Sequence, residues 1–487
     1  MSQLLHPDID HLARRAGFGV SPSEVEIFAN MSTSAAVDYF VDYEAHADDV
    51  DTKIGLPDYA QVTTKNAFTP DIDIDDARQR WLFRMVHTRR PLQEKMALFW
   101  HNHFATAFSK ITADSGNLQA AKMFAYKPGA LRGPQGQYEL FRQYALGNFR
   151  DLLFQVATDP VMLIWLDGQY NTRAKPQENF GREIMELFTI GVDHYTEPDV
   201  YAAARVFSGW NLRKSQGYKA NDPNSYAEFV YNADQHEVTA KTFSFPIYSD
   251  GSRTIPARSE SAGMQDGLDL INALAMNPLT AQRLVRKFWS FFVSDIAAPD
   301  PAFIDGAAAV YLQNRAEIRP MIRYILTSRW FTDPSAQFAR YSWPVEYVVR
   351  SIKEIGWQGF SLDKAKAPLA SMGQQLFEPP NVAGWPQGTN WFSTATMLAR
   401  SNFAATLTAS QKDFLAVSVT PDAASAQGLL AAVMKRVTPA PLDQAPQQAL
   451  SSYLTAGGVW TGSASQVSTR AAGLARLLVG SPEYQLV

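Results

Sequence analysis

The chain has no cysteine in 487 residues. That excludes disulfides, thiolate zinc sites and a cysteine nucleophile, and leaves the compartment open. Long apolar runs are also missing: no window approaches the roughly 20 residues of a membrane-spanning helix. An excess of one charge is absent too. Lys and Arg number 44 against 48 Asp and Glu, a net charge of −4. With no overall basic field, nucleic acid is a poor main partner. The first residues, MSQLLHPDIDHLARRAGFG, show no basic head followed by an apolar core. No signal peptide is therefore expected, and the expected compartment is the cytoplasm, with the periplasm as the alternative. There is no His-Glu-x-x-His, no Glu-x-x-His, no heptad array and no internal repeat. Zincins, di-iron bundles, coiled coils and solenoids are set aside on that ground.

What the chain does have is helix punctuation. Apolar residues make up 46 % of it, ordinary for a globular protein. The length suits two or three domains or one large helical body. Ser21, Pro22 and Glu24 read as a capped helix start. Asp159 with Pro160, Asn277 with Pro278, and Pro344 punctuate later helices. The run 126–136, with Gly133, Pro134 and Gly136, reads as a loop. Helical spacing fills 75–210 and resumes at Gly263. Between them Phe229 and Tyr231 alternate with Glu228 and Val230, so 227–255 reads as a small hairpin or excursion. The expected fold is mainly α: a large multi-helix body with a small β-hairpin excursion and long Gly/Pro-rich loops. Its expected organisation is a helical domain over 1–410, with excursions near 46–74 and 215–260, and a C-terminal helical extension over 411–487 packed on it.

The densest polar chemistry at helical spacing lies in 171–213. At 100° per residue Phe180, Ile184, Leu187 and Phe188 share one arc, and Asn179, Arg182, Glu183 and Glu186 fall opposite. Glu183 and Glu186 stand three apart and share a face. Two carboxylates that close repel unless a cation, a metal or a shared proton lies between them. Arg182 is the cation nearest in sequence. Gly191 is a natural helix stop, and Thr196 an N-cap with Pro198 and Asp199 in the turn that follows. The plainer account is a solvated helix face, the default for carboxylates. The sharper one makes this stretch a wall of a polar pocket.

Three other segments carry polar chemistry. In PLQEKMALFWHNHFAT, Leu92, Met96, Phe99 and His103 lie on one face, with Glu94 and His101 opposite. His103 is either a core histidine bonded to a neighbour or a pocket base or ligand. His236, flanked by Asp234 and Glu237, reads as a surface histidine or as a loop residue reaching a pocket. In 374–393 Pro379, Pro380, Gly384 and Pro386 exclude a long helix. Asn381, Trp385, Asn390 and Trp391 add amides and aromatic faces, which line sugar sites and also plug domain junctions.

Four motifs together give a family resemblance. They are Arg15-Ala16-Gly17-Phe18-Gly19; Trp100-His101-Asn102-His103-Phe104; Asn179 to Leu187 with Gly191, Tyr195-Thr196-Glu197 and Gly209-Trp210; and Pro379 to Pro386. With them the chain resembles the bacterial domain-of-unknown-function 1800 family (DUF1800), from about 8 to 410. The resemblance implies a mostly helical bacterial protein with a shared polar site, and no generally accepted activity. It also implies an export signal in many members, proximity to another uncharacterised, sulfatase-related family, and a His-Asp pair after the strand. Here that pair is His236 and Glu237.

The motifs hold groups that are expensive to bury alone, so convergence on one cleft is the economical expectation. Glu183, Glu186 and His103 are the candidate catalytic residues of a hydrolase or lyase acting on a polysaccharide-like substrate. Arg182, Asn102, Asn179, His236, Asn381 and Trp385 are the candidate substrate contacts, Asn381 and Trp385 forming a lid. The alternative is non-enzymatic: a scaffold that helps assemble or export a partner, with the polar cluster as a structural network. No nucleotide or thiolate-metal motif names a cofactor; a cation held by Glu183, Glu186 and a histidine is a third option. The expected partner is a polysaccharide or the product of a neighbouring gene.

Overall fold

Proline sets many of the helix starts. Pro7, Pro22, Pro91, Pro160, Pro278, Pro301 and Pro344 each open a helix, where the missing N–H has no intrahelical partner to lose. Ser21 and Glu24 close the expected capping box: the Ser21 N–H donates to the Glu24 carboxylate at 2.7 Å. The protein is described by a computed structural model over residues 5–456 and 458–487. Among the described residues it is mainly α, with 24 α-helices and two two-stranded antiparallel sheets. No helix among them is long and apolar enough to cross a membrane.

At the centre runs the helix Pro91–His103, buried at every position. Helices Pro7–Ala16, Thr33–Val41, Ile74–His87 and Gln137–Gln143 pack around it. Its polar face is therefore not a solvated one, as a two-faced helix suggests. Glu94 goes inward instead, because cations meet it there. Arg84 and Arg142 each donate from Nε to its Oε1 at 2.9 Å, and the Tyr138 hydroxyl donates to Oε2 at 2.7 Å. The acidic segment after 46 supplies further counter-charge: Asp51 lies 2.9 Å from Arg84, and Asp48 lies 2.6 Å from Arg142. A buried charge is tolerable only when so paired.

The β structure is two small sheets. Trp210–Lys214 pairs with Ala227–Tyr231, Trp210 opposite Tyr231 and Lys214 opposite Ala227. Lys241–Thr242 pairs with Thr254–Ile255. The first strand begins at Trp210, where the helical spacing of the sequence runs on. Gly209 makes the break: its φ is +80°, and a Cβ there would stand 2.5 Å from the Asn232 carbonyl oxygen. At the other end of the chain, Ala464–Val479 packs on Thr394–Ser410 and Lys412–Val419. The last residues then tie back to the body. The Ser342 N–H donates to Gln485 O and the Val487 N–H to Arg340 O, both at 2.8 Å.

Candidate functional site

The helix Glu178–Glu186 lies against Glu197–Val206, and Gly181 sets how closely. A Cβ at Gly181 would meet Ala203 Cβ and Ala204 N at 3.1 Å. Phe180, Ile184 and Met185 are buried while Arg182, Glu183 and Glu186 are half-buried, the split their arcs require. The helix stops through Gly191, at φ +94°, whose N–H donates to Met185 O at 2.9 Å. Thr196 then caps the next helix, its N–H and hydroxyl donating to Asp199 at 2.7 and 2.9 Å.

Glu183 is left without a donor: among the described residues no group hydrogen-bonds to its carboxylate. Burial, then the charge of Glu186, raises its proton affinity above that of an ordinary glutamate. Glu186 accepts from the Tyr195 hydroxyl. Arg182 does not stand between the two carboxylates. It turns to Glu197, in a two-pronged pair at 2.8 Å on each arm, and to Glu178 at 3.5 Å. The cation beside Glu186 is Arg283, on the helix Pro278–Phe288. Its Nη2 reaches Leu187 O at 3.4 Å. A Cβ at Gly191 would come within 3.0 Å of its Nη1, so glycine lets the guanidinium in.

One turn further along that helix is Lys287. Its amine donates to His103 Nδ1 at 2.8 Å, and His103 Nε2–H donates to Phe188 O at 3.1 Å. These two bonds fix the neutral tautomer with the proton on Nε2. Burial, then the charges of Lys287 and Arg283, holds His103 well below the usual imidazole range. Lys287 is itself pushed down to about 7, by burial and then by Arg283. Carbonyls at the C-terminal end of Glu178–Glu186 receive these cations, as the helix dipole favours. The end of the helix Glu178–Glu186 and the Trp100–Phe104 segment therefore do meet, through Phe188 O and the Lys287 amine. Sequence reasoning missed Lys287 and Arg283. Their signal was two cations four apart on one helix face with no acid beside them.

The remaining nominated residues go elsewhere. Asn102 Oδ1 accepts from the Trp385 N–H at 2.6 Å. Trp385 is buried, its ring edge-on to His101 at 5.2 Å, so it is packing in the interior and not a lid. His101 Nε2 accepts from the Phe377 N–H at 3.1 Å, and Trp100 Nε1 donates to Ala145 O at 3.0 Å. Asn381 is exposed and bonds within its own turn, accepting from Ala383 N–H at 2.9 Å. Asn179 is exposed and donates to Asp167 at 3.0 Å. His236 is fully buried, contrary to a surface histidine. Its Nδ1 meets Ser208 O at 2.8 Å and its Nε2 meets Asp266 at 3.2 Å. Lys241 also donates to Asp266, at 2.5 Å. The acid beside His236 in space is thus Asp266; Glu237 pairs with Arg205 at 2.7 Å. Gly263 makes room, since a Cβ there would stand 2.0 Å from His236 Cδ2.

Among the described residues no three His, Asp or Glu side chains converge as a metal would need. A cavity of about 300 Å³ lies elsewhere, between Ile74–His87 and Asp363–Ser371. Its cations are already paired: Arg78 with Asp75 at 2.9 Å and Lys366 with Asp363 at 3.0 Å.

Fold and site together define a mainly α protein in which a half-buried carboxylate pair is joined through Arg283 to a lysine–histidine pair. The chain belongs to the family described as protein of unknown function (DUF1800), whose model matches residues 11–486. That match passes the 410 reached by the four motifs and takes in the C-terminal helices. No curated protein and no solved structure matches the chain.

Proposed function

We propose that the face carrying Glu183, Glu186, Arg283 and Lys287 is the active site of a hydrolase or lyase acting on a polysaccharide-like polymer. The observation that supports it is Glu183: a half-buried carboxyl with raised proton affinity and no hydrogen-bond donor among the described residues. Such a group is a general acid, and a departing glycosidic oxygen needs one. Glu186, oriented by the Tyr195 hydroxyl, is the carboxylate that activates water on the hydrolytic route. Lys287, an amine near neutrality leaning on His103, is the base for a carbon-bound proton on the eliminating route. His103 positions that amine. Arg283 supplies positive charge for an acidic sugar.

The test is a panel of neutral and acidic polysaccharides with the wild type and Glu183→Gln. Loss of turnover by at least about 100-fold is expected, the usual weight of a general acid, with the melting temperature unchanged. A new reducing end without a double bond marks the hydrolase; an unsaturated end marks the lyase. Full activity of Glu183→Gln on a turned-over polymer ends this assignment.

A second reading, the scaffold, has its own support. Trp100, His101, Asn102 and His103 together hold three distant segments, at Ala145, at Phe377 to Trp385 and at Phe188. Under it no polymer is turned over, and Glu183→Gln leaves binding of a partner unchanged while Asn102→Ala weakens it.

A further inference from the structure

The N-terminal motif takes no part in the site above, and its Arg15 lies in a second cluster. Arg15, Arg340, Lys95 and Arg400 are all fully buried, and so is Glu346. Glu346 lies within electrostatic reach of all four cations. Its oxygens are already committed: Lys95 and Arg340 donate to Oε1, and the Trp343 N–H donates to Oε2 at 2.8 Å. Asp295 stands at the edge, half-buried, and accepts from the Tyr341 N–H at 3.1 Å. Four buried cations thus face two carboxylates.

Acceptors run short in the same place. Arg15 gives one bond, from Nη2 to Ala336 O at 2.7 Å; among the described residues no group accepts from its Nε or Nη1. Arg340 Nε and Nη1, Arg400 Nε, Gln374 Nε2 and Trp391 Nε1 are buried donors in the same condition. Unpaired buried donors each cost about 1–3 kcal/mol, more when charged. The rings of Phe18 and Phe291 lie 5.0 and 5.4 Å from the Lys95 amine. They soften its desolvation and supply no acceptor for the guanidinium edges. Lys95 is pushed down to about 7, by burial first, which fits a cluster short of negative charge.

We infer that the Arg15–Arg340 pair holds a small inorganic anion of the halide class, closed in when Pro7–Ala16 and the 333–341 segment come together. Water would supply acceptors alone; an anion supplies acceptors and the missing charge. The site is separate from the Glu183 face and stands whether or not that face is catalytic.

The test uses the full chain. Melting curves are taken in sodium gluconate and in sodium bromide at equal ionic strength, and crystals grown in bromide are examined by anomalous diffraction. The expected results are an upward shift of about 2 °C that saturates with bromide, and an anomalous peak beside Arg15 and Arg340. Arg15→Met should abolish the bromide-dependent shift. Equal melting in the two salts overturns the inference, as do bromide peaks confined to exposed lysines, an adventitious ion only. Should Arg15→Met fail to fold, the wild-type bromide map decides.

Discussion

Two polar regions of the molecule invite comparison: the helix Pro91–His103 and the helix Glu178–Glu186. In the first, each polar side chain around the Trp-His-Asn-His run has a protein partner. His101, Asn102 and His103 meet Phe377 N–H, Trp385 N–H and Phe188 O, and Glu94 meets two arginines and a tyrosine. In the second, Glu183 has no donor among the described residues and is half-buried. The difference separates two uses of polarity. Fully satisfied buried groups specify a fold. A group held short of satisfaction at a solvent-reachable face is available to something that is not protein.

The comparison breaks most visibly at Glu94. Replacing it with Ala leaves Arg84 and Arg142 facing a gap in the core. The expected loss is about 3–5 kcal/mol, the range for removing one partner of a buried pair, read by denaturant unfolding. Asp48, Asp51 and Glu139 remain near these arginines and keep the loss from growing further. Next is Gly384→Ala. Gly384 has φ +87°, and a Cβ would stand 2.4 Å from Asn102 Oδ1 and 2.5 Å from Asn102 O. Strain plus the lost Asn102 to Trp385 bond should remove roughly 2–3 kcal/mol. A neutral result at either position would mean that the first region is not the closed network described.

The helical frame was legible because its punctuation is local. Pro160 with Asp159, Pro278 with Asn277 and Thr196 with Asp199 carry their capping chemistry within four residues. The arcs of 178–188 were legible for the same reason, being a periodicity of one helix. The partners were not. Nothing at His236 announces Asp266, thirty residues on, and the adjacent Glu237 was the misleading candidate. Trp385 in a Pro/Gly loop looks like a sugar platform until Asn102 is seen to take its N–H. Lys287 reads as a surface lysine, since only the fold brings His103 to it. Burial on all sides also hides in a sequence: Pro91–His103 is two-faced by pattern, yet Glu94 on its polar face meets the counter-charges Arg84 and Arg142.

A smaller effect sharpens the comparison from the second region's side. Lys287 is lowered to about 7 in the folded chain against an ordinary 10.5. Between these values the unfolded chain binds the additional proton, so wild-type stability should rise with pH from about 7 toward 10.5. Lys287→Met should remove its share of that rise, worth of order a few kcal/mol, and should leave the comparable share from Lys95, also lowered to about 7, in place. Matching pH profiles for the two proteins would show that the amine is already well solvated and so no near-neutral base.

The smallest effect on stability is expected where the effect on chemistry is largest. Burial and Glu186 raise the Glu183 carboxyl above its ordinary 4.5. The folded chain therefore holds that proton more tightly than the unfolded one, and stability falls as pH rises from 4.5 through the raised value. Gln keeps the shape and cannot ionise. Glu183→Gln should thus be neutral or slightly stabilising at pH 7, by less than about 0.5 kcal/mol for a half-buried surface change, and should flatten the acid side of the pH profile. Clear destabilisation would mean that the carboxylate is holding something in the folded chain. Glu183 would then belong with Glu94 as a structural group, and the distinction between the two helices would be lost.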